Sequence, residues 1–296
     1  MHFPKEIINF AAKFNLFMDL SLIFRFKKHL IYKTDIIMIG AIIGDIIGSR
    51  FEFNNLRGSN FKLFTDRCSY TDDTICTIAI ADAILRGESY GVNLQKWCRK
   101  YPHPMGSYGA RFSQWIWDDM RTPYNSFGNG SAMRVSPVAW AFNEDFDMMK
   151  NAIDTAAISH NHTFGIHGAM VVALAIYVSR KFKKESDCKD FIHELCDKFF
   201  PEPIKRKGVF DETCQGTVPV AVDIIIESNS FEDAIRKTMQ WGGDSDTLGA
   251  IVGSIAEAIW GIPMEIYIQS MAYLPDDMKY IIEQFRRKFN INTLII

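Results

Sequence analysis

The sequence predicts an all-α protein, and three observations support this fold class. Apolar residues recur at spacings of three and four, the period of one helix face, in segments 75–85, 165–178, 218–226 and 248–260. Few stretches alternate strictly between apolar and polar residues, and no Asn-Gly or Asp-Gly turn separates two such stretches. Apolar residues make up 48% of the 296 residues, which is enough to bury a large core.

The first element, residues 1–37, is predicted to be an amphipathic helical arm. Its apolar residues, such as Ile7, Phe10 and Phe14, have Lys and Glu between them. These charges interrupt the apolar run, so we expect neither a membrane span nor a signal peptide. Met38 begins a stretch typical of a protein start. We therefore expect a domain at 38–296 and an arm that either binds a protein partner or results from an upstream start site.

Three of the predicted helices carry small residues at every fourth position. The first contains Gly40, Gly44 and Gly48, and the other two run through 165–173 and 249–261. Glycine in a helix interior costs about 0.5–1 kcal/mol relative to alanine. Its repetition along one face therefore predicts that another helix packs closely against it.

Loops are predicted where Gly, Pro and polar residues cluster, at 101–109, 123–130 and 181–208. The last of these is rich in charged residues, and we expect it to be a surface excursion or a lid. None of the three has the composition of a flexible linker, which favours a single domain.

Charge and cysteine content exclude several classes of function. The 33 Lys and Arg against 35 Asp and Glu give a net charge of −2, so general nucleic-acid binding is not expected. The six cysteines form no Cys-x-x-Cys pair, which argues against a zinc ribbon or a disulfide framework. Reduced thiols predict a cytoplasmic protein.

Two clusters of carboxylates and threonines lie directly before predicted helices, at 70–74 and at 242–247. One interpretation is helix capping, because Thr and Asp are common N-caps and acids in the first turn complement the helix dipole. One Asp is enough for a cap, however, whereas each cluster holds two acids that repel one another. Oxygen ligands of this kind suit Mg²⁺, Mn²⁺ or Ca²⁺, and two clusters brought together could form a two-metal centre.

A glycine-rich segment at 127–134 is predicted to open a helix with several free backbone N–H groups. Such groups favour a phosphate or a diphosphate, although a plain glycine turn explains the pattern equally well. The segment is not a dinucleotide-binding fingerprint, because no strand precedes it. The histidines at 160, 162 and 167 lack the partners of a zinc site, so contact with a ligand hydroxyl or burial in the core is expected for them.

In combination, these segments resemble the ADP-ribosylglycohydrolase family. Five blocks occur in order between residue 38 and about residue 263, which is most of the chain. The Thr-Asp-Asp-Thr block and the Gly-Gly-Asp-Ser-Asp-Thr block are the most specific of them. The blocks are Gly40–Gly48 with Glu52, Tyr70–Thr74, Gly128–Arg134, Ser159–His160 and Gly242–Thr247.

The resemblance implies an orthogonal multi-helix bundle whose cleft holds two Mg²⁺ or Mn²⁺ ions. The implied metal ligands are Thr71, Asp72, Asp73, Asp244, Asp246 and Thr247. The implied substrate-binding residues are Phe127, which can stack on adenine, Gly128, Asn129, Gly130, Ser131, Met133 and His160. The residues implied in catalysis are Asp72, Asp73, Asp246 and Glu52, the last of which could ligate a metal or gate substrate entry.

The activity that the resemblance implies is hydrolysis of the bond between the ribose anomeric carbon and an acceptor. The substrate would be an ADP-ribosylated protein or a small molecule that contains ADP-ribose. Two alternatives are a non-catalytic relative and a toxin-immunity protein that binds its partner through the arm. The complete set of implied metal ligands argues against the non-catalytic relative.

Overall fold

The computed structural model describes residues 37–182 and 184–289, and within them the chain is helical. No strand occurs among these residues, where the only bridges are Thr71–Met105 and Gly128–Thr213. The all-α prediction is confirmed. The predicted arm lies outside the described residues, apart from residue 37. The helices are α1 Gly40–Gly48, α2 Asp72–Arg86, α3 Tyr90–Lys100, α4 Ala110–Ile116, α5 Gly130–Met133, α6 Ser136–Ala141, α7 Asp145–Ala157, α8 Thr163–Ser179, α9 Glu185–Phe199, α10 Cys214–Glu227, α11 Phe231–Trp241, α12 Ser245–Trp260, α13 Met264–Met271 and α14 Asp276–Phe289.

Helices α1 and α12 pack more closely than any other pair of described helices, and glycines line their contact. A Cβ placed on Gly44 would lie 1.8 Å from the carbonyl oxygen of Gly249, and one on Gly40 would lie 2.3 Å from that of Gly253. Any side chain at these positions would therefore collide with backbone. The close packing predicted from the glycine stripes is confirmed for this pair.

A buried carboxylate from α12 fixes the start of α1. Glu257 accepts hydrogen bonds from the backbone N–H groups of Ile39, at 3.3 Å, and Gly40, at 2.9 Å. These donors belong to the first turn of a helix, where no intrahelical acceptor is available. Burial outweighs the two hydrogen bonds and raises the pKa of Glu257 to about 8.

The remaining helices enclose this pair and build a continuous apolar core. Helix α8 is buried along most of its length and packs against α5, α7, α10 and α12. Helix α2 packs against α3 and α14 on another side of the bundle. The loops before α2 and α12 consequently open at a common end of the molecule, beside the loop before α5.

The segment 181–208 differs from the surface excursion or lid that its charge predicted. Most of it is helix α9, whose apolar face is buried through Cys188, Ile192, Leu195 and Phe199. These residues are spaced by three and four, so the helix has an ordinary core-facing stripe beneath its charged surface. A continuous run of exposed residues follows the helix, at 201–210.

The described part of the chain contains neither a helix that could span a membrane nor a disulfide. No helix in the described ranges is long and apolar enough to cross a membrane. All six cysteines are free and buried, which agrees with the absence of a disulfide framework from the sequence.

Replacement of Gly44 by alanine tests the contact between α1 and α12. The added methyl group would have to separate two backbones, so we expect Gly44→Ala to lower the free energy of unfolding by about 3 kcal/mol. Gly109→Ala is the matched control, because a Cβ there meets nothing within 4 Å. Chemical denaturation of both variants measures the difference, and equal small losses would contradict the role assigned to the glycine contact.

The raised pKa of Glu257 predicts a specific pH dependence of stability. In the folded protein this carboxyl stays protonated up to about pH 8, whereas a glutamate carboxyl ordinarily has a pKa of 4.5. Between these values the unfolded chain binds fewer protons, so stability falls as pH rises, by at most about 1.4 kcal/mol per pH unit. The difference in unfolding free energy between wild type and Glu257→Gln isolates this effect. A difference that is flat from pH 5 to pH 8 would show that the buried carboxyl does not titrate as stated.

Candidate active site

Three segments bring their carboxylates together at one end of the bundle. They are the start of α2, the start of α12 and the loop that follows α1. Oxygen atoms of Glu52, Asp244 and Asp246 all lie within 4.8 Å of one another. Thr247 donates a hydrogen bond from Oγ1 to Asp73 at 3.4 Å, which links the two helix starts. The two carboxylate clusters, which are far apart in the sequence, thus form one site.

Asp45, in the middle of α1, organises the start of α2. It is fully buried and accepts four hydrogen bonds, from the backbone N–H and the hydroxyl group of both Thr71 and Thr74. The hydroxyl of Thr71 in turn accepts from the N–H of Asp73 at 3.2 Å and caps the helix. The capping interpretation is therefore correct for Thr71. The four bonds to Asp45 also fix the directions in which Asp72 and Asp73 leave the backbone.

At the start of α12, the N-cap residue has a second role besides its place in the helix. Asp244 is the N-cap residue, and its carboxylate accepts from the side chain of Asn129 at 2.7 Å. The two preceding residues, Gly242 and Gly243, have φ values of +76° and +82°, which glycine adopts without strain. This turn directs Asp244 into the cleft.

The loop that carries Glu52 is tied to its neighbours on both sides. Asn55 accepts from the N–H of Gly243 and donates to the carbonyl of Gly208, both at 2.8 Å. A Cβ at Gly106 would lie 2.6 Å from an Oε atom of Glu52, so the absent side chain leaves room for that carboxylate. The Glu52 carboxylate therefore lies between the start of α12 and the loop that carries Gly106.

Repulsion between acidic side chains is strongly unfavourable in this site unless a cation binds there. Glu52, Asp72, Asp73, Asp244 and Asp246 form no ion pair with any Lys, Arg or His of the described chain. Burial, and after it the charge of Asp244, raises the pKa of Glu52 to about 7. Burial and neighbouring carboxylates likewise raise the pKa of Asp72, Asp73 and Asp246 well above the usual range.

Unpaired oxygen atoms make this cluster fit a divalent cation. Glu52 Oε2, Asp73 Oδ2 and Asp246 Oδ1 are buried and accept no hydrogen bond from an N–H or hydroxyl group within residues 37–182 and 184–289. Buried carboxylate oxygens are normally hydrogen-bonded or bound to a metal. All donors in the cluster are oxygens, which suits hard ions. The site is therefore an acidic centre whose residues can hold a metal ion.

The glycine-rich loop lies beside this acidic centre, and most of its residues serve to hold it there. Asn129 donates from Nδ2 to Asp244 and to Thr217, and its own N–H donates to the carbonyl of Glu212. The hydroxyl of Ser131 donates to the carbonyl of Gly165 at 2.6 Å. Since these side chains are engaged within the protein, the N–H groups of Gly130 and Ser131 are the donors left without a bond in the described chain.

The other residues implied in substrate binding occupy three different environments. Phe127 is 45% exposed and contacts the ring of His162 edge-on, with centroids 5.4 Å apart. Met133 is buried in the core. His160 is buried behind the loop, where a Cβ at Gly130 would lie 3.1 Å from its Nε2 and one at Gly128 would lie 3.5 Å from it. The loop and His160 thus come together as expected, whereas the Met133 side chain is part of the core.

Several residues that shape the site were not assigned a role from the sequence. The sequence does contain a signal for the role of Asp45, because this residue is a lone charge in an apolar, glycine-rich helix. Asn55 and Thr217 had none, since single polar residues in a loop and in a helix are ordinary. Arg134 ends the glycine-rich block and is 1% exposed, but burial of an arginine cannot be seen in its sequence.

Comparisons with known proteins agree with this arrangement. ADP-ribosylhydrolase ARH3 of Bos taurus is 23% identical, covering 76% of this chain and 84% of its own. ADP-ribosyl-[dinitrogen reductase] glycohydrolase of Rhodospirillum rubrum is also 23% identical, with the same coverage. ADP-ribosylarginine hydrolase Tri1 of Pseudomonas putida (strain GB-1) is 22% identical over 87% of this chain and 79% of its own. A solved structure titled ADP-ribosylglycohydrolase-related protein complex shares the fold, with a TM-score of 0.66, 20% identity and coverage of 85% and 95%.

Fold and site together define an all-α protein with an acidic, oxygen-only centre beside a glycine-rich loop. A family model described as ADP-ribosylglycohydrolase matches residues 36–289, so the chain belongs to this family. Membership makes the chain a hydrolase of the glycosidase class that removes ADP-ribose.

Asp45→Asn tests whether the α1 carboxylate organises the acidic centre. An amide accepts only through its oxygen. Oδ1 of Asp45 accepts from the Thr71 hydroxyl and Oδ2 from the other three donors, so at least the Thr71 hydroxyl loses its acceptor. Loss of a group that orients metal ligands typically costs 10–100-fold in metal affinity, and we expect a loss of about that size for Mn²⁺ by calorimetric titration.

Asp82→Asn is the matched control for this experiment. Asp82 is equally buried on α2 but bonds to Arg86 and Trp97, away from the cluster. Its replacement should reduce stability and leave the Mn²⁺ affinity unchanged. Equal effects of the two changes on Mn²⁺ affinity would remove the special role of Asp45.

Proposed function

We propose that this enzyme hydrolyses the bond between the anomeric carbon of ADP-ribose and an acceptor group, with the help of two divalent ions. The observation that carries the proposal is the cluster of unpaired carboxylates next to a loop with free backbone N–H groups. The first feature suits a cation, and the second suits the diphosphate of ADP-ribose. A substrate that offers both ribose hydroxyls and a diphosphate matches the two together.

The ions would be Mg²⁺ or Mn²⁺, held by residues of both helix starts. The proposed ligands are Thr71, Asp72, Asp73, Asp244, Asp246 and Thr247, and Glu52 would stand at the mouth of the centre. The hydrogen bond between Thr247 and Asp73 supports a shared site for the two sets. Held there, the ions would supply Lewis acidity and would lower the pKa of a water molecule.

The glycine-rich loop would receive the diphosphate and the nucleoside. The N–H groups of Gly130 and Ser131 are available as donors, and the absence of a side chain at Gly128 and Gly130 lets a phosphate approach the backbone. Phe127 is exposed at the edge of this loop, where its ring can stack on adenine. Adenine at this edge would leave the ribose on the side of the acidic centre, because Asn129 joins the loop to Asp244.

The carboxylates perform the proton transfers and stabilise developing charge. A carboxylate of the cluster, with Glu52, Asp72, Asp73 and Asp246 as candidates, accepts the proton of the water that attacks the anomeric carbon. Glu52 fits this role because its carboxylate lies beside Asp244 and Asp246 and keeps one oxygen free of N–H and hydroxyl donors of the described chain. The other carboxylates stabilise the positive charge that develops on the ribose, as in other glycoside hydrolysis.

Two further features of the protein belong to this proposal. The substrate is an ADP-ribosylated protein or a small molecule that contains ADP-ribose, as the names of the relatives indicate for those proteins. We also propose a cytoplasmic location, supported by six free thiols that require no oxidising compartment.

The direct test is release of ADP-ribose from a panel of substrates that carry it on arginine, on serine or on a small molecule. We expect release with Mg²⁺ or Mn²⁺ and none with EDTA, because oxygen ligands alone bind these ions reversibly. Undiminished turnover in chelator would contradict the role of the acidic centre.

Asp246→Asn is expected to abolish turnover, a loss of at least about 1,000-fold, while the circular dichroism of the protein stays that of the wild type. Its carboxylate has an unpaired oxygen and contributes little to the core, so the fold does not depend on its charge. Asp119→Asn is the control, because that carboxylate is exposed on the surface. If Asp246→Asn unfolds the protein, the carboxylate serves the helix start instead of catalysis.

A further inference from the structure

Arg134 is a fully buried cation without an acidic partner. It is 1% exposed and forms no ion pair with any carboxylate of the described chain. One guanidinium nitrogen, Nη2, donates to the carbonyl of Thr155 and to the hydroxyl of Ser159, both at 2.8 Å. A charge buried in this way is costly, so its position calls for a specific function.

Ser159 lies between Arg134 and His160, and its hydroxyl group contacts both. The hydroxyl of Ser159 is fully buried and lies 2.8 Å from Nδ1 of His160. Arginine can only donate, so the Ser159 oxygen accepts from Arg134 and its own proton remains to be placed. The ring nitrogen Nδ1 is the acceptor within reach. Donation to it satisfies the hydroxyl, whereas a proton on Nδ1 would leave the hydroxyl proton unbonded in the core.

This arrangement decides which nitrogen of His160 carries the proton. Since Nδ1 accepts, a neutral ring bears its proton on Nε2. Burial, and after it the charge of Arg134, holds the pKa of His160 well below its usual value, so the ring is neutral at physiological pH. Tyr124 also contacts the ring, with ring centroids 5.9 Å apart, and adds no charge at neutral pH.

The protonated nitrogen lies against the backbone of the glycine-rich loop. A Cβ at Gly130 would be 3.1 Å from Nε2 of His160, so only glycine leaves the nitrogen accessible from that side. Resting on the proposed function, we propose that Arg134 and Ser159 are positioning residues that fix His160 as an Nε2–H donor to an oxygen of the bound ADP-ribose. The unpaired charge of Arg134, directly behind this donor, also favours the anionic diphosphate.

The first test determines which ring nitrogen of His160 carries the proton, and it needs no substrate. In protein labelled with ¹⁵N-histidine, the ¹⁵N chemical shifts distinguish the protonated from the unprotonated ring nitrogen. We expect wild type at neutral pH to show a neutral ring with the proton on Nε2, and Ser159→Ala to show a mixture of both tautomers. A proton on Nδ1, or a charged ring, in wild type would overturn the proposal.

The second test measures binding of ADP-ribose by calorimetry in the presence of Mg²⁺. Ser159→Ala should weaken binding about tenfold, as expected for the loss of the hydrogen bond that holds Nδ1 and with it the orientation of the ring. In a His160→Ala background the same change should have no further effect, because Ser159 acts only through the ring. Ser254→Ala removes an equally buried hydroxyl that bonds only to a helix carbonyl, and it should leave binding unchanged.

Arg134 itself is tested by two variants whose folding is checked by circular dichroism. Arg134→Lys keeps the charge and one donor and should restore most of the affinity that Arg134→Met loses. If Ser159→Ala binds ADP-ribose like wild type, or weakens binding equally with and without His160, the proposal is wrong. If the tautomer is as stated but wild type binds no ADP-ribose, the proposed function fails and the assignment of the His160 proton stands.

Discussion

The contact between α1 and α12 is the constraint on which the site depends. Because both helices present glycine, their backbones touch, and neither helix can shift along the other without a collision. A Cβ at Gly48 would lie 2.6 Å from the Cα of Asp246, so the end of α1 packs on the first turn of α12. Three residues before Gly48, Asp45 holds the start of α2. One short helix therefore sets the positions of both carboxylate clusters, and an error in its packing would separate them.

The carboxylates placed by this contact repel one another, which destabilises the folded protein. Burial of the rest of the core, which is apolar and continuous, offsets this cost. Their raised pKa values show that the folded protein favours protonated carboxyls when no cation is present. Cation binding relieves the repulsion and couples ion affinity to pH, since protons must leave as the ion enters. The stability of the bundle and the chemistry of the cleft are thus linked through the same side chains.

The sequence predicted the fold class and the two carboxylate clusters because local patterns carry them. Helical periodicity, glycine stripes and adjacent acids are visible within a few residues. It failed for the segment 181–208, where a high density of charge obscured the stripe of Cys188, Ile192, Leu195 and Phe199. Contacts such as Asp45 with Thr71 or Asn129 with Asp244 join residues 26 and 115 positions apart, and no local pattern encodes such pairs.

One end of the site is negatively charged and the other is positively charged, and Asn129 lies between them. At one end, the buried carboxylates have no Lys, Arg or His partner in the described chain; at the other, the buried guanidinium of Arg134 has no carboxylate partner there. The amide of Asn129 bonds to Asp244, while the next residue, Gly130, packs against His160. A ligand that spans both ends must therefore carry negative charge beside the loop and neutral oxygen donors beside the carboxylates. A diphosphate attached to a ribose has this distribution, whereas a simple nucleoside would leave Arg134 uncompensated and a simple sugar would leave the loop donors unbonded.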